Sequence, residues 1–490
     1  MATTSWHHRF IYALLLLIGL AVFLRWGSFA FSVINHDEST YIVIADEMLR
    51  GERYLVDSID TKPIGIFWLY SIMIWLTKGS IIGLRLLTSM IIGLTAALWW
   101  ASARKATGSS RVAWATGVIY VFLCSLFTYF GLSPNTELFF NAFTAGAVLL
   151  FVQLAFSRAN RSLIGNICTS AGVGVLLGMA VVVKPVAAAE ALAIGLYLLW
   201  RGWRDGKLAV AVFQRCLPMT LAFCLPLLGV YLYYYQQGLV DQLVLYNFEL
   251  TKAYPVDKSP AERLLFLGEY LRFLPLLILA VLAFRERQSA DRRWQHYLLL
   301  QSAWVLVVIL APGKSFGHYM VQLHPVVAAL TACWFLPART NLPQFRLWLK
   351  RYGTLLLASI FLAVSLSHFV RYQRKYDQPA ALASWLETRI EPGDELFMEN
   401  YHQIVYHLLD LPVPTPYVHS SLLFYQHHVR AFRIDLEAEA DQLIENPNLR
   451  YVVRRRRQPE LYTNAITRAI DDHFEPVHEF DHELIVWERK

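Results

Sequence analysis

Apolar and polar residues alternate along this chain on the scale of whole segments. Eleven apolar stretches, at 10–33, 80–101, 111–130, 136–156, 163–184, 186–200, 215–236, 264–284, 295–311, 318–336 and 352–370, are separated by short polar joints. Runs of roughly 17–25 apolar residues cross the hydrocarbon core of a bilayer as helices, and only 186–200 is marginal in length. The pattern predicts an α-helical polytopic membrane protein with about eleven transmembrane helices. A further apolar run, 63–78, reads as a helix lying in the interface, because counting it as a span would put Arg104, Lys105 and Arg111 on the outer side and disturb every later loop.

Composition agrees with this class. The 490 residues are 56% hydrophobic and only 17% charged, against roughly 25% charged in soluble domains. A net charge of +7 raises the question of nucleic acid, but the placement of the cations answers it. With the N-terminus inside, the cytoplasmic joints hold Arg9; Arg104, Lys105 and Arg111; Arg158 and Arg161; Arg201, Arg204, Lys207 and Arg215; Arg285, Arg287, Arg292 and Arg293; and Arg339, Arg346, Lys350 and Arg351. That is a positive-inside distribution, and the partner it implies is membrane lipid, with no nucleic acid. An odd number of spans then sends loop 34–79, loop 237–263 and everything after about residue 371 to the extracytoplasmic side. No small-residue cleavage site precedes the acidic loop, so the first apolar run reads as a retained helix.

Beyond residue 370 the chain becomes charged and mixes helix-like with strand-like segments. ALASWLETRI, ended by EPGD, and TNAITRAIDDHF read as helices; ELFMEN, RYVVRRR and ELIVWER read as strands. Two domains are expected, a membrane domain at 1–370 and a small extracytoplasmic α/β domain at 371–490. The eight histidines of the latter, among them His402, His407, His427 and His428, lack metal-ligand spacing. All five cysteines fall in or beside predicted spans, which implies no disulfide framework and no zinc motif.

The candidate chemistry gathers at one membrane face. In NHDESTYIVIADEMLRG, Tyr41, Ile44, Ala45, Met48 and Leu49 form one stripe of a helix expected to lie flat on the bilayer and to end at Gly51. Asp37 and Glu38 stand just before it, either as caps or as an acid pair. Lys62 precedes Pro63 at the start of the interfacial run, either as a snorkelling cation or as an anion ligand. At the same face lie Asn135 and Glu137 in SPNTELFFNAF, Lys184 in MAVVVKPVAAAE, and Lys314, His318 and Tyr319 in APGKSFGHYMVQLHP. Each has an ordinary reading as a helix cap, a snorkelling cation or an interface anchor. Ionisable groups at membrane depth are nonetheless costly unless paired, wet or functional, and these share one topological side.

An acidic pair after the first span, a Lys-Pro closing the first loop, an NTE in the next outer loop and an HY near the start of a late span together resemble the GT-C superfamily of membrane glycosyltransferases. The likeness is to the bacterial protein O-mannosyltransferase-like and aminoarabinose-transferase-like branch, and covers nearly the whole membrane region. It implies an enzyme of the bacterial cytoplasmic (inner) membrane. Such an enzyme takes a sugar from a polyprenyl-phosphate-linked donor and passes it to a lipid, glycan or protein acceptor on the extracytoplasmic, periplasmic side. By this resemblance Lys62 and Lys184 hold the donor phosphate and Tyr319 faces it. Asp60, Asn135, Glu137, Lys314 and His318 bind substrate or support the site. Residue chemistry fits the same reaction. Attack of a hydroxyl on the anomeric carbon needs a carboxylate to accept its proton, for which Asp37 is the candidate, with Glu38 shaping or sharing the site. A departing phosphate monoester needs fixed cations. No diphosphate leaves, so neither a divalent metal nor another cofactor is demanded, and a single displacement inverts configuration.

Two departures from the branch pattern stand out. Thr61 separates Asp60 from Lys62, and Asn135 with Glu137 replaces an aspartate in the second outer loop. Loop 237–263 reads as a lid or as a passive connector, with Tyr246, Asn247, Lys252 and Tyr254 as possible substrate contacts. The alternatives are a transporter or flippase of a lipid-linked saccharide, which predicts internal repeats and broken helices around a midplane site, and an anchored receptor. No repeat is visible in the sequence.

Overall fold

A computed structural model describes residues 2–128, 131–156, 162–250, 258–285, 292–314, 316–335, 343–399, 402–419, 421–456, 464–480 and 483–490. Lys252, Tyr254 and the loop arginines Arg158, Arg161, Arg287 and Arg339 lie outside these residues. Internal contacts divide the chain into two compact units. The first holds Met1–Phe29, Arg85–Val230 and Val256–Arg374; the second holds Ala30–Leu84, Tyr231–Pro255 and Lys375–Lys490. The first outer loop thus clusters with the C-terminal residues.

Among the described residues, seven helical stretches are long and apolar enough to cross a membrane: Trp6–Ser28, Ile81–Thr107, Thr136–Ala155, Leu163–Val183, Leu208–Gln236, Pro260–Phe284 and Leu355–Arg374. The segments expected as spans at 111–130, 186–200, 295–311 and 318–336 are helical but do not meet both conditions. They form Ser110–Leu123, Ala188–Arg204, Arg293–Leu310 and His324–Ala332. The last is preceded by a 3₁₀ turn, Gly317–Leu323.

Small residues let the helices of the first unit approach closely. Gly174 and Gly178, four residues apart, face the next long helix so tightly that a Cβ would lie 2.1 Å from the Met219 carbonyl oxygen and 2.4 Å from that of Phe223. Gly93 meets the backbone of Ile18 in the same way. Such small-xxx-small faces bring helix backbones together where lipid supplies no hydrophobic drive. Among the described residues of this unit, Arg25 and Arg85 are buried, and backbone carbonyls take up their charge. Arg25 donates to the carbonyl oxygens of Cys124 (2.6 Å), Gly131 (2.6 Å) and Leu132 (2.8 Å), while Arg85 donates to that of Ser28 (2.5 Å). A buried guanidinium is tolerable only when its donors are matched in this way.

In the second unit the first-loop helix spans His36–Arg50. It starts earlier than the stripe predicted: Asn35 is the cap, its side chain accepting from the Asp37 N–H, and Asp37 and Glu38 lie within the first turn. There they face the positive end of the helix dipole. Gly51, at φ 105°, ends the helix in the left-handed conformation that glycine adopts without cost. The expectation that the apolar stripe rests on lipid is corrected. Tyr41, Ile44 and Ala45 are buried, Tyr41 packing on Phe67 and Tyr70 at 6.0 and 5.4 Å between ring centroids, and the helix Ile404–Leu409 also packs against this helix. Protein supplies the apolar partner of these three residues, while Leu49 at the end of the stripe is exposed. The second helix, Ile64–Thr77, has 14 residues, about 21 Å at 1.5 Å per residue. It leaves Ile72, Trp75 and Leu76 exposed, as an interfacial helix requires.

The C-terminal residues form a four-stranded mixed sheet of order β1-β2-β4-β3, with β1 Glu395–Met398, β2 Leu449–Arg455, β3 Phe474–Phe480 and β4 Leu484–Arg489. β1 runs parallel to β2, and the other pairs are antiparallel. β3 was not expected from sequence: FEPVHEF buries only its first residue and contains a proline, which an edge strand tolerates. The expected helices appear as Gln378–Glu387 and Ala465–His473, the latter capped reciprocally by Asn464 and Thr467.

Candidate active site

Lys62 is the centre of the constellation in the second unit. The loop that presents it is tied down from both sides. The buried Tyr54 hydroxyl lies within hydrogen-bonding distance of the carbonyl oxygens of Asp60 (3.0 Å) and Lys62 (2.5 Å), and the Ile59 N–H donates to the carbonyl of Pro416 (2.7 Å). Asp60 folds back on its own loop: its Oδ1 accepts from the Thr61 N–H at 2.5 Å, and its carboxylate contacts Lys62 Nζ at 3.3 and 3.2 Å. The one-residue displacement of the acid from Lys-Pro therefore does not separate it from the lysine, because the Asp60 carboxylate turns back across Thr61 to reach Nζ. Asp37 Oδ1 contacts the same Nζ at 3.3 Å. Burial works against charge on Lys62, but the carboxylates of Asp60 and Asp37 outweigh it and hold the ammonium above the ordinary lysine range.

The two acids differ in exposure. Asp60 keeps 6% of its side chain exposed, whereas Asp37 keeps 21% and Lys62 25%. Asp60 thus anchors the lysine from behind and Asp37 faces outward. Glu38, buried, accepts from the Ile34 N–H at 2.9 Å and so fixes the entry of the chain into the helix. His419 belongs to the same neighbourhood. Its pKa is lowered first by burial and then by the Lys62 charge, against the opposing carboxylates of Asp60 and Asp37. Sequence reasoning missed His419, for only folding brings it near the first loop.

The first unit holds a second ion pair. The helix Leu163–Val183 ends at Lys184, which is extended (φ −156°, ψ 126°) because Pro185 follows it. This turns the side chain toward Glu137, in the first turn of Thr136–Ala155. Lys184 Nζ pairs with Glu137 Oε1, the carboxylate being fully buried and the lysine 16% exposed. Glu137 also accepts from Thr136 Oγ1 (3.1 Å). Nζ lies 4.3 Å from the centroid of the Tyr319 ring, within cation–π range. His318 is edge-on to Tyr319 at 4.8 Å and stacks on Phe316 at 5.7 Å. Asn135 is buried at the N-cap position of the Glu137 helix, and Lys314 lies between Arg293–Leu310 and Gly317–Leu323. A further pair went unpredicted. Gln322 Nε2 donates to both oxygens of the buried Glu190 (3.2 and 3.0 Å) and lies 3.1 Å from the Val186 carbonyl. It thereby staples the Tyr319 segment to the turn that follows Lys184. The available signal was a glutamate in the middle of an apolar run.

The structure thus brings together Asp37, Asp60 and Lys62 in one unit and Glu137, Lys184 and Tyr319 in the other. Among the described residues no group of three or more His, Cys, Asp or Glu is arranged to hold a metal ion.

A fold of this kind, many apolar helices with a polar first outer loop and a small terminal sheet, is the fold of GT-C superfamily membrane glycosyltransferases. It matches ArnT from Cupriavidus metallidurans in the apo state with a TM-score of 0.66 and 14% identity, over 99% of this chain and 98% of that one. The same protein bound to undecaprenyl phosphate matches with 0.66 and 13%, over the same shares. The archaeal oligosaccharyltransferase AglB from Archaeoglobus fulgidus, in complex with an inhibitory peptide and a dolichol-phosphate, matches with 0.52 and 11%, over 99% of this chain and 74% of that one. Residues 61–229 match the family model of dolichyl-phosphate-mannose-protein mannosyltransferases. No curated protein matches the chain in sequence.

Proposed function

We propose that the protein is an inverting glycosyltransferase that takes a sugar from a polyprenyl-phosphate donor and passes it to a lipid, glycan or protein acceptor. The observation that carries this reading is Lys62 clamped by Asp60 and capped by Asp37. One carboxylate is spent on holding the cation, and the other is more exposed. In the free protein Lys62 neutralises Asp37. An arriving lipid phosphate competes for the ammonium, and Asp37 is released as a base for the acceptor hydroxyl. The hydroxyl oxygen attacks the anomeric carbon as its proton passes to Asp37, and the bond to the phosphate oxygen breaks with inversion. Lys62 then meets the charge that develops on the leaving phosphate. In the first unit Lys184, backed by Glu137 and lying on Tyr319, is by its chemistry a further cation suited to a phosphate. Undecaprenyl phosphate on the ArnT structure supports the lipid-phosphate class of donor, and the basic loops support a cytoplasmic N-terminus with chemistry on the opposite face.

The test is transfer of radiolabelled sugar from a panel of polyprenyl-phosphate sugars to membrane acceptors by purified protein and by its Asp37→Asn variant. We expect the variant to lose roughly 10²–10⁴ in rate while retaining donor binding. Equal transfer by both removes Asp37 from the reaction. Binding of lipid phosphate without transfer by the wild type favours a transporter.

A further inference from the structure

At the basic end of the first unit, a cavity of about 370 Å³ lies between the first helix, the end of Ile81–Thr107 and the start of Ser110–Leu123. Trp6, Arg9, Tyr12, Trp100, Arg104 and Trp114 line it. Its walls are aromatic faces in mutual contact: Trp6 on Trp100 at 5.7 Å, Trp100 on Trp114 at 5.9 Å and Tyr12 on Trp114 at 6.3 Å. Neither Glu137 nor Lys184 lines it.

Interfacial tryptophans and loop arginines are common in membrane proteins. Two features here go beyond that background. First, Trp100 is only 3% exposed, so the cavity is backed by a buried indole and not only by rings standing at the surface. Second, Arg104 spends one Nη on the Gly108 carbonyl and retains the rest of its five-donor fork. Arg9 is exposed beside it, and Lys105 is held 4.7 Å over the Trp6 ring. An acceptor that carries negative charge and an apolar body satisfies the guanidinium groups and the aromatic walls together.

We propose that this cavity binds the phosphate headgroup of an anionic glycerophospholipid, with its glycerol and first acyl carbons against the tryptophans. The phosphodiester oxygens accept from Arg9 and Arg104. The site is independent of the transferase reaction.

Native mass spectrometry of the full chain released from nanodiscs of equal phosphatidylglycerol and phosphatidylcholine tests this. One phosphatidylglycerol should be retained in preference to phosphatidylcholine. The Arg9→Gln/Arg104→Gln variant should lower that retention roughly tenfold, and Trp100→Ala, which removes an aromatic wall of the cavity, roughly threefold or more. Lys207→Gln, an exposed cation that does not line the cavity, should change nothing. All variants are compared at equal monodispersity and thermal stability. Equal retention of the two lipids, unchanged retention in the double arginine variant, or an equal loss in Lys207→Gln overturns the proposal. Displacement of the lipid by millimolar inorganic phosphate also overturns it, since the site would then be one for a free ion.

Discussion

Replacing Lys62 by Met separates what the ion cluster does for stability from what it does for chemistry. Nζ stands 3.3 Å from Asp37 and 3.2 Å from Asp60. At an effective dielectric of about 20 each contact has a gross attraction of about 5 kcal/mol. Desolvation and the partial exposure of Lys62 and Asp37 reduce the net value to about 1–2 kcal/mol per contact. Asp60, nearly buried, keeps its Thr61 N–H but loses its counter-ion. The expected loss of stability is therefore about 2–3 kcal/mol. Adding Asp60→Asn should return about 1 kcal/mol by removing the stranded charge. The kinetic loss should be larger, roughly 10²–10³ in kcat/KM, because a cation facing a leaving phosphate acts most strongly in the transition state. Lys62→Arg keeps the charge but replaces a point donor by a planar fork, and should lie between. Initial rates of transfer from a radiolabelled polyprenyl-phosphate sugar, measured beside thermal unfolding in the same detergent, give both numbers. A stability loss with kcat/KM within about threefold of wild type would refute the assignment of Lys62 to the donor phosphate and leave only a structural ion cluster.

Other outcomes follow from single contacts. His407 Nδ1 meets Asp46 at 2.6 Å and Nε2 meets the Gly79 carbonyl at 2.7 Å; with acceptors on both sides the ring must be a cation. Burial opposes that charge, but the bond to Asp46 prevails and raises the pKa above 6.5. Its stabilisation is thus fully present below about pH 6.5 and is lost as the pH rises through the raised folded value. The stability gap between wild type and His407→Gln, about 1–2 kcal/mol near pH 6, should shrink toward pH 9 in parallel melts; a gap that widens with pH contradicts the imidazolium. Gln322→Leu strips the buried Glu190 carboxylate of its side-chain donor and should cost about 2–3 kcal/mol, most of which Glu190→Leu in the same chain restores, as read by denaturation. Gly178→Ala places a Cβ 2.4 Å from the Phe223 carbonyl, and the two helices must part at a cost of about 1–3 kcal/mol in unfolding free energy; an unchanged melt would mean that this packing is absent.

Much of this architecture was legible in sequence because it depends on properties of the chain alone. The apolar runs, Gly51 and the Pro after Lys184 act locally, and each ends or begins a helix where the residues say so. Lys62 was different: in sequence it had an ordinary reading as a snorkelling cation, and only its contacts with Asp37 and Asp60 set it apart. Partners could not be read. The stripe of Tyr41 and Ile44 looks the same whether lipid or Phe67 and Tyr70 cover it, since both are apolar. β3 escaped because an edge strand with one buried residue carries almost no periodic signal.

Hydrophobic length and helix punctuation are properties of consecutive residues, and they suffice to specify a polytopic helical membrane protein with acids and cations in the loops between its helices. Folding alone made Asp60 rather than Glu38 join Asp37 at Lys62, set Glu137 against Lys184, and brought Gln322 to Glu190. Ion pairing depends on separations of a few ångströms between residues that can be far apart in the chain, and packing alone sets those distances.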